Sequence, residues 1–184
     1  MARTPSNMMP LGTVAPYFNL YDTASGKNMQ IDECIKEKGL LVMFICNHCP
    51  FVVHVIDELI SIGNDYLPKG IGMVAISSND VENYPDDSPE KMRDLAKLKD
   101  FPFPYMYDET QEIAKAYNAA CTPDIFLFDK DKKCVYRGQI DNSRPGNDIP
   151  VTGKDLRDAL ENLISGKAIN EIQYPGIGCN IKWK

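Results

Sequence analysis

The sequence predicts an α/β protein in which a central mixed sheet is flanked by helices, with a β-hairpin extension at its N-terminal side. Three observations predict it. Leu40–Ile45, Gly72–Ser77 and Ile125–Phe128 are short, nearly continuous apolar runs, as expected of strands covered on both faces. Between them, apolar residues recur at helical spacing. Finally, Cys46-Asn47-His48-Cys49 stands where the first of these strands runs into the first long helix.

Taken in order, residues 1–13 show no periodic pattern and are expected to form a flexible arm, with residues 14–184 as one domain. Tyr17–Leu20 and Lys27–Ile31 form a hairpin around the turn-forming stretch Tyr21-Asp22-Thr23-Ala24-Ser25-Gly26. A helix follows from about Pro50 to Tyr66. Val52, Val55, Ile56, Leu59, Ile62 and Tyr66 mark its apolar face; His54, Asp57, Glu58, Ser61 and Asp65 mark the polar one. Pro68 and Gly70 stop it. Ser88 caps a second helix, with Pro89 at its first position, that runs to about Lys99. A shorter helix covers Glu109–Tyr117. After Ile125–Phe128, a polar turn at residues 129–133 returns the chain as strand Cys134–Gly138, and a last helix runs from Gly153 to about Ile164. Strand–helix–strand connections impose parallel pairs and the short turn imposes an antiparallel one, so the sheet is mixed.

Composition narrows the function. The 184 residues suffice for one well-filled core. A net charge of −6 argues against nucleic acid or an anionic membrane as partner. The longest apolar run, Leu40–Cys46, has seven residues, whereas a membrane-spanning helix needs roughly 20. No apolar segment follows Arg3, so no secretory signal is read and the expected location is cytoplasmic. Six cysteines in such a setting point to redox or metal chemistry rather than a disulfide framework.

The start of a helix offers unpaired N–H groups and the positive end of its dipole, and both favour thiolate over thiol. Pro50 decides which cysteine receives them. With Cys46 as the cap, Pro50 would fall where the first intrahelical N–H is required, which proline lacks. With Cys49 as the cap, Pro50 occupies the first helical position, where it is favoured. Cys49 is therefore the expected nucleophile and Cys46 its resolving partner. His48 is expected to steady the thiolate as imidazolium. Two other readings compete: buried packing thiols, and a copper or zinc site formed by Cys46, Cys49 and a histidine. No second C-x-x-C or H-x-x-x-H completes a closed zinc site.

Gly12-Thr13-Val14-Ala15-Pro16-Tyr17-Phe18-Asn19-Leu20 resembles the G-x-x-A-P-x-F-x-L opening of redoxins, the alkyl hydroperoxide reductase/thiol-specific antioxidant group. The segment Tyr117-Asn118-Ala119-Ala120-Cys121-Thr122-Pro123-Asp124 resembles the cis-proline segment of thioredoxin-like proteins. With Asn47-His48-Cys49-Pro50 and the ending Ile177-Gly178-Cys179-Asn180-Ile181-Lys182-Trp183-Lys184, the chain is similar to the peroxiredoxin-like group over about residues 10 to 184. The resemblance implies a thioredoxin-like fold. Counting five residues from Phe44, it puts the attacking cysteine at Cys49. It also implies a cis Pro123 behind Thr122, facing the cysteines, with Cys121 as a further resolving thiol. The peroxiredoxin pattern P-x-x-x-T-x-x-C is broken, because Val42 and Cys46 replace its proline and threonine. Arg137 and Arg144 are the candidates for that family's arginine.

The remaining candidates read as structural. Cys34 and Cys134 are packing residues, Cys179 lies in a tail beside Trp183, His54 belongs to a solvated helix face, and Phe101–Tyr105 lines the core. The expected function is thiol–disulfide exchange by an antioxidant-type oxidoreductase, with thiol peroxidase and metal binding as alternatives. No cofactor is needed, since the cysteine pair stores the electrons. The expected partners are protein or small-molecule disulfides, or peroxides, together with a thiol reductant.

Overall fold

A computed structural model describes residues 3–184. Its main sheet has seven strands: β2 (Asn19–Asp22), β3 (Lys27–Gln30), β4 (Gly39–Phe44), β5 (Ile71–Ser77), β6 (Tyr105–Tyr107), β8 (Asp124–Asp129) and β9 (Cys134–Arg137), in the order β3-β2-β6-β5-β4-β8-β9. β4 runs parallel to β5 and antiparallel to β8. β5 and β6 are parallel, whereas β2–β3, β2–β6 and β8–β9 are antiparallel. The sheet is mixed, as the connection lengths require.

Every residue of β4 and β5 is buried, and successive side chains enter opposite layers. Leu41, Met43 and Ile45 face α2 (Pro50–Tyr66), α3 (Pro89–Leu98) and α5 (Lys154–Ile164). Leu40, Val42 and Phe44 face α1 (Ile31–Cys34) and α4 (Glu112–Ala116). The apolar face of α2 is the one read from its spacing: Val52, Val55, Ile56, Leu59, Ile62 and Tyr66 are buried. Burying a side chain such as Leu59 contributes roughly 1.5–3 kcal/mol. On the polar face, Arg157 of α5 donates to Glu58 at 2.6 Å, Ser61 at 3.0 Å and Asp65 at 2.7 Å. This is the thioredoxin-like arrangement.

A second, three-stranded sheet joins β1 (Arg3–Pro5), β10 (Ile177–Asn180) and β7 (Cys121–Thr122), in the order β1-β10-β7. It corrects the expectation of a flexible arm over residues 1–13. Arg3–Pro5 pairs with Ile177–Cys179, Ser6 Oγ donates to Asp124 at 2.7 Å, and Met9 is buried. Residues 1 and 2 lie outside the described residues. The tail beyond α5 likewise contains a strand, β10. Cys34 and Cys134 are buried, and burial raises both thiols, to about 12 and about 11, as packing residues require. Among the described residues no helix is long and apolar enough to cross a membrane.

Candidate active site

The site forms where β4, α2, β7 and β10 meet. Cys49 is the N-cap of α2 in extended conformation (φ −72°, ψ 121°), and its carbonyl accepts the first helical bond from Val53 N–H at 2.9 Å. Pro50 occupies the first helical position, as its missing N–H demands. Cys46 lies in the loop before it. The Thr122–Pro123 peptide is cis and brings Thr122 against both sulfurs. Cys46 Sγ lies 3.3 Å from Thr122 Oγ1, and the Cys49 thiol donates to the Thr122 carbonyl at 3.1 Å.

The two thiols share one site and divide the proton between them. Cys49 is held well below the ordinary thiol value. The hydrogen bond from Cys46 does most of this, helped by Cys179, Thr122 and the Val52 backbone N–H, against a desolvation penalty. Cys46 is driven far up by the same bond to Cys49, by burial and by the charge of Asp87. Helix start and proton-sharing thus favour the same sulfur as nucleophile. Cys46 is 1% and Cys49 0% exposed, so a substrate must enter beside them. A groove lined by Phe51, His54, Pro123, Ser143, Arg144 and Ile177 opens there.

Three predicted residues sit otherwise than expected. His48 is engaged by Asp87: its Nδ1 lies 2.6 Å from that buried carboxylate, and its ring stacks on Tyr84. Asp87 also accepts from Asn47 N–H and from the Asn79 amide, both at 2.7 Å, which fixes the loop carrying Cys46. Cys121 is buried next to Thr122, and its thiol is directed at the Pro123 carbonyl at 3.5 Å rather than at the pair. The third sulfur against Cys49 is Cys179, the side-chain hydrogen-bond partner of Cys49. His54 is no solvated residue; its Nε2 lies 2.7 Å from Ser143 Oγ.

The only metal-compatible donor group among the described residues is Cys46, His48 and Asp87, whose ligand atoms lie within 4.8 Å of one another. It substitutes Asp87 for the expected Cys49, and the Asp87 oxygens already accept the two hydrogen bonds from Asn47 and Asn79. Neither candidate arginine is bonded to the sulfurs. Arg137 donates to the Met9 carbonyl and to Gln173. Arg144 donates to the Asp141 and Ser143 carbonyls and to Gln139.

Reasoning from sequence missed Asp87, Asp124 and the position of Cys179. Asp124 is buried under the cis-proline turn and accepts from Ser6 Oγ at 2.7 Å and Ala120 N–H at 3.0 Å. Burial raises its pKa to about 6. The one available sign was the ending Ile177-Gly178-Cys179. A Cβ on Gly178 would stand 2.0 Å from the Thr122 carbonyl oxygen, so only glycine lets β10 lie against the cis-proline turn.

Comparison with known proteins agrees with this fold. The chain is 55% identical to an uncharacterized conserved protein from Geobacillus kaustophilus. That crystal structure superposes with a TM-score of 0.99 over 100% of this chain and 97% of the other. "Thiol-disulfide oxidoreductase ResA" of Bacillus thuringiensis subsp. konkukian is 28% identical over 72% of this chain and 71% of its own length. The crystal structure of peroxidoxin BcpB from Mycobacterium tuberculosis shares the fold at 15% identity, with a TM-score of 0.64 over 88% of this chain and 100% of that one. The Redoxin family model matches residues 10–156, most of the chain and all the cysteines but Cys179, and the protein is a member of the redoxin family.

Proposed function

We propose that the chain is a thiol–disulfide oxidoreductase that works through Cys49 and Cys46. Redoxin membership makes it an oxidoreductase acting on sulfur groups. The observation that supports the finer reading is the pair itself: a thiol capping α2, lowered by hydrogen bonds, beside a second thiol held protonated. The similarity to the ResA protein of Bacillus thuringiensis points the same way.

In this mechanism the Cys49 thiolate attacks one sulfur of a substrate disulfide. The substrate S–S bond breaks, one substrate thiolate leaves, and Cys49 holds the other half as a mixed disulfide. Cys46 then loses its proton and attacks Cys49 Sγ. The Cys46–Cys49 disulfide forms, and the second substrate thiol departs with the proton. Two electrons pass from the dithiol to the substrate, and an external thiol reductant restores the pair. Thr122 positions Cys46 through its hydroxyl and Cys49, while protonated, through its carbonyl, and Asp87 and His48 position the loop of Cys46. The substrates we propose are protein or small-molecule disulfides, and the setting is the cytosol, where thiols are kept reduced. An antioxidant role follows from that chemistry. Peroxide reduction has less support, because Arg137 and Arg144 are engaged elsewhere.

The test is to mix reduced protein with oxidised glutathione and map the products by mass. The reading expects a Cys46–Cys49 disulfide and its loss in Cys49→Ser. A wild-type protein that keeps all its thiols through this treatment contradicts it.

A further inference from the structure

Cys179 is buried, packed against the nucleophile, and unused by the mechanism above. β10 lies in the middle of the three-stranded sheet, where Cys179 pairs in register with Thr122, whose carbonyl takes the Cys49 thiol at 3.1 Å. Gly178 permits this approach, since any side chain there would strike the Thr122 carbonyl. Cys46, Cys49 and Cys179 belong to one packed cluster and are 1%, 0% and 2% exposed. Side-chain hydrogen bonds from both Cys46 and Cys179 help hold the Cys49 thiol low. Cys121, in the same turn, faces the Pro123 carbonyl instead.

From this arrangement we infer that Cys179 is a second resolving thiol, so that Cys49 forms either of two alternative disulfides, with Cys46 or with Cys179. The inference rests on the oxidoreductase reading and adds a partner to it. In the mixed disulfide of Cys49, Cys179 loses its proton and attacks Cys49 Sγ. The bond to the substrate half breaks, the Cys49–Cys179 bond forms, and the substrate thiol leaves with the proton. The two electrons delivered to the substrate then come from Cys49 and Cys179. The two disulfides also interconvert without an outside reagent. Cys179 attacks the Cys46–Cys49 bond, Cys49–Cys179 forms, and the proton passes to Cys46.

The two disulfides differ mechanically. Cys46–Cys49 joins neighbouring residues across a loop. Cys49–Cys179 ties the start of α2 to β10, and so to β1 and the cis-proline turn. Burial and the bond to Cys49 hold the Cys179 thiol protonated, as they do Cys46, so either resolver must give up its proton before it attacks.

The deciding experiment uses the full chain carrying Cys46→Ser, reduced and then mixed with oxidised glutathione. The expected result is transient glutathionylation of Cys49, followed by loss of two titratable thiols per chain and a Cys49–Cys179 cross-linked peptide. Cys46→Ser/Cys179→Ala should stop at the glutathione adduct. An adduct that persists in the single variant, or a Cys49–Cys121 link, overturns the inference and leaves the oxidoreductase reading intact. Wild-type protein equilibrated in a glutathione redox buffer gives an answer without any substitution: both cross-linked peptides should appear, and Cys46–Cys49 alone counts against Cys179. If wild type yields neither adduct nor disulfide at Cys49, the oxidoreductase reading itself fails.

Discussion

At the scale of single residues, the chemistry reduces to where two protons reside. Cys49 ionises in the folded protein below its unfolded value of about 9.0. Its contribution to the stability of the reduced form is therefore fully present above that value and is lost as pH falls through the folded pKa. Replacing Cys46 with Ala removes the main donor to the thiolate, so Cys49 alkylation should shift to higher pH, as an iodoacetamide rate profile would show. Asp124 has the opposite sign. Its carboxyl is raised from 3.8 to about 6, so its contribution is full below 3.8 and lost as pH rises through about 6. Asp124→Asn should flatten the dependence of Tm on pH across that window, an effect on the order of 3 kcal/mol by linkage. A Tm profile as steep as wild type would show that Asp124 is not the titrating group. Proline chemistry made Cys49 legible at this scale, since Pro50 leaves a single place for the helix to begin. Asp87 was not legible: nothing near Pro85-Asp86-Asp87-Ser88 in the chain tells that its carboxylate turns back 40 residues to the Asn47 N–H.

Elements that were long or strongly patterned were legible too. The buried face of α2 and the Ser88 cap of α3, whose Oγ accepts from Lys91 N–H, follow from spacing and capping chemistry. The missed strands are short: β1, β6, β7 and β10 have two to four residues, too few for a period of two to show. They exist because partners lie far away in sequence, as Arg3 pairs with Cys179. β10 is the most demanding of them. Gly178→Ala would push a Cβ to 2.0 Å from the Thr122 oxygen and force the strand off the turn. Overpacking of this kind costs roughly 1–3 kcal/mol. Thermal melting should register that loss, and the Cys49 alkylation rate should fall with it because Thr122 moves. A variant with the Tm and thiol reactivity of wild type would show that the contact is not needed.

For the whole molecule, two layers of core around one mixed sheet hold the strand–helix junction rigid, while the second sheet closes over the sulfurs. Parallel and antiparallel pairing were legible from connection lengths, and the family resemblance carried the cis-proline turn. The closing role of the N-terminal segment was not, because Ser6 and Met9 lie in an unpatterned stretch and act through partners far along the chain, Asp124, Arg137 and Gly176, and through the core. Removing residues 1–9 should uncover β10, so that N-ethylmaleimide labels Cys179 in the native state at least several-fold faster than in the full chain. Equal labelling would mean that the segment does not cover the site.

The claim on which the rest depends is that Cys49, not Cys46, is the reactive thiolate. The most direct test is pH-dependent alkylation of the fully reduced protein, with mass mapping of each cysteine. The account predicts that Cys49 is modified first and stays reactive well below the pH at which an ordinary thiol, with a pKa near 8.5, falls silent, while Cys46 remains unmodified. Faster modification of Cys46, or a Cys49 that reacts only in the alkaline range, would contradict it.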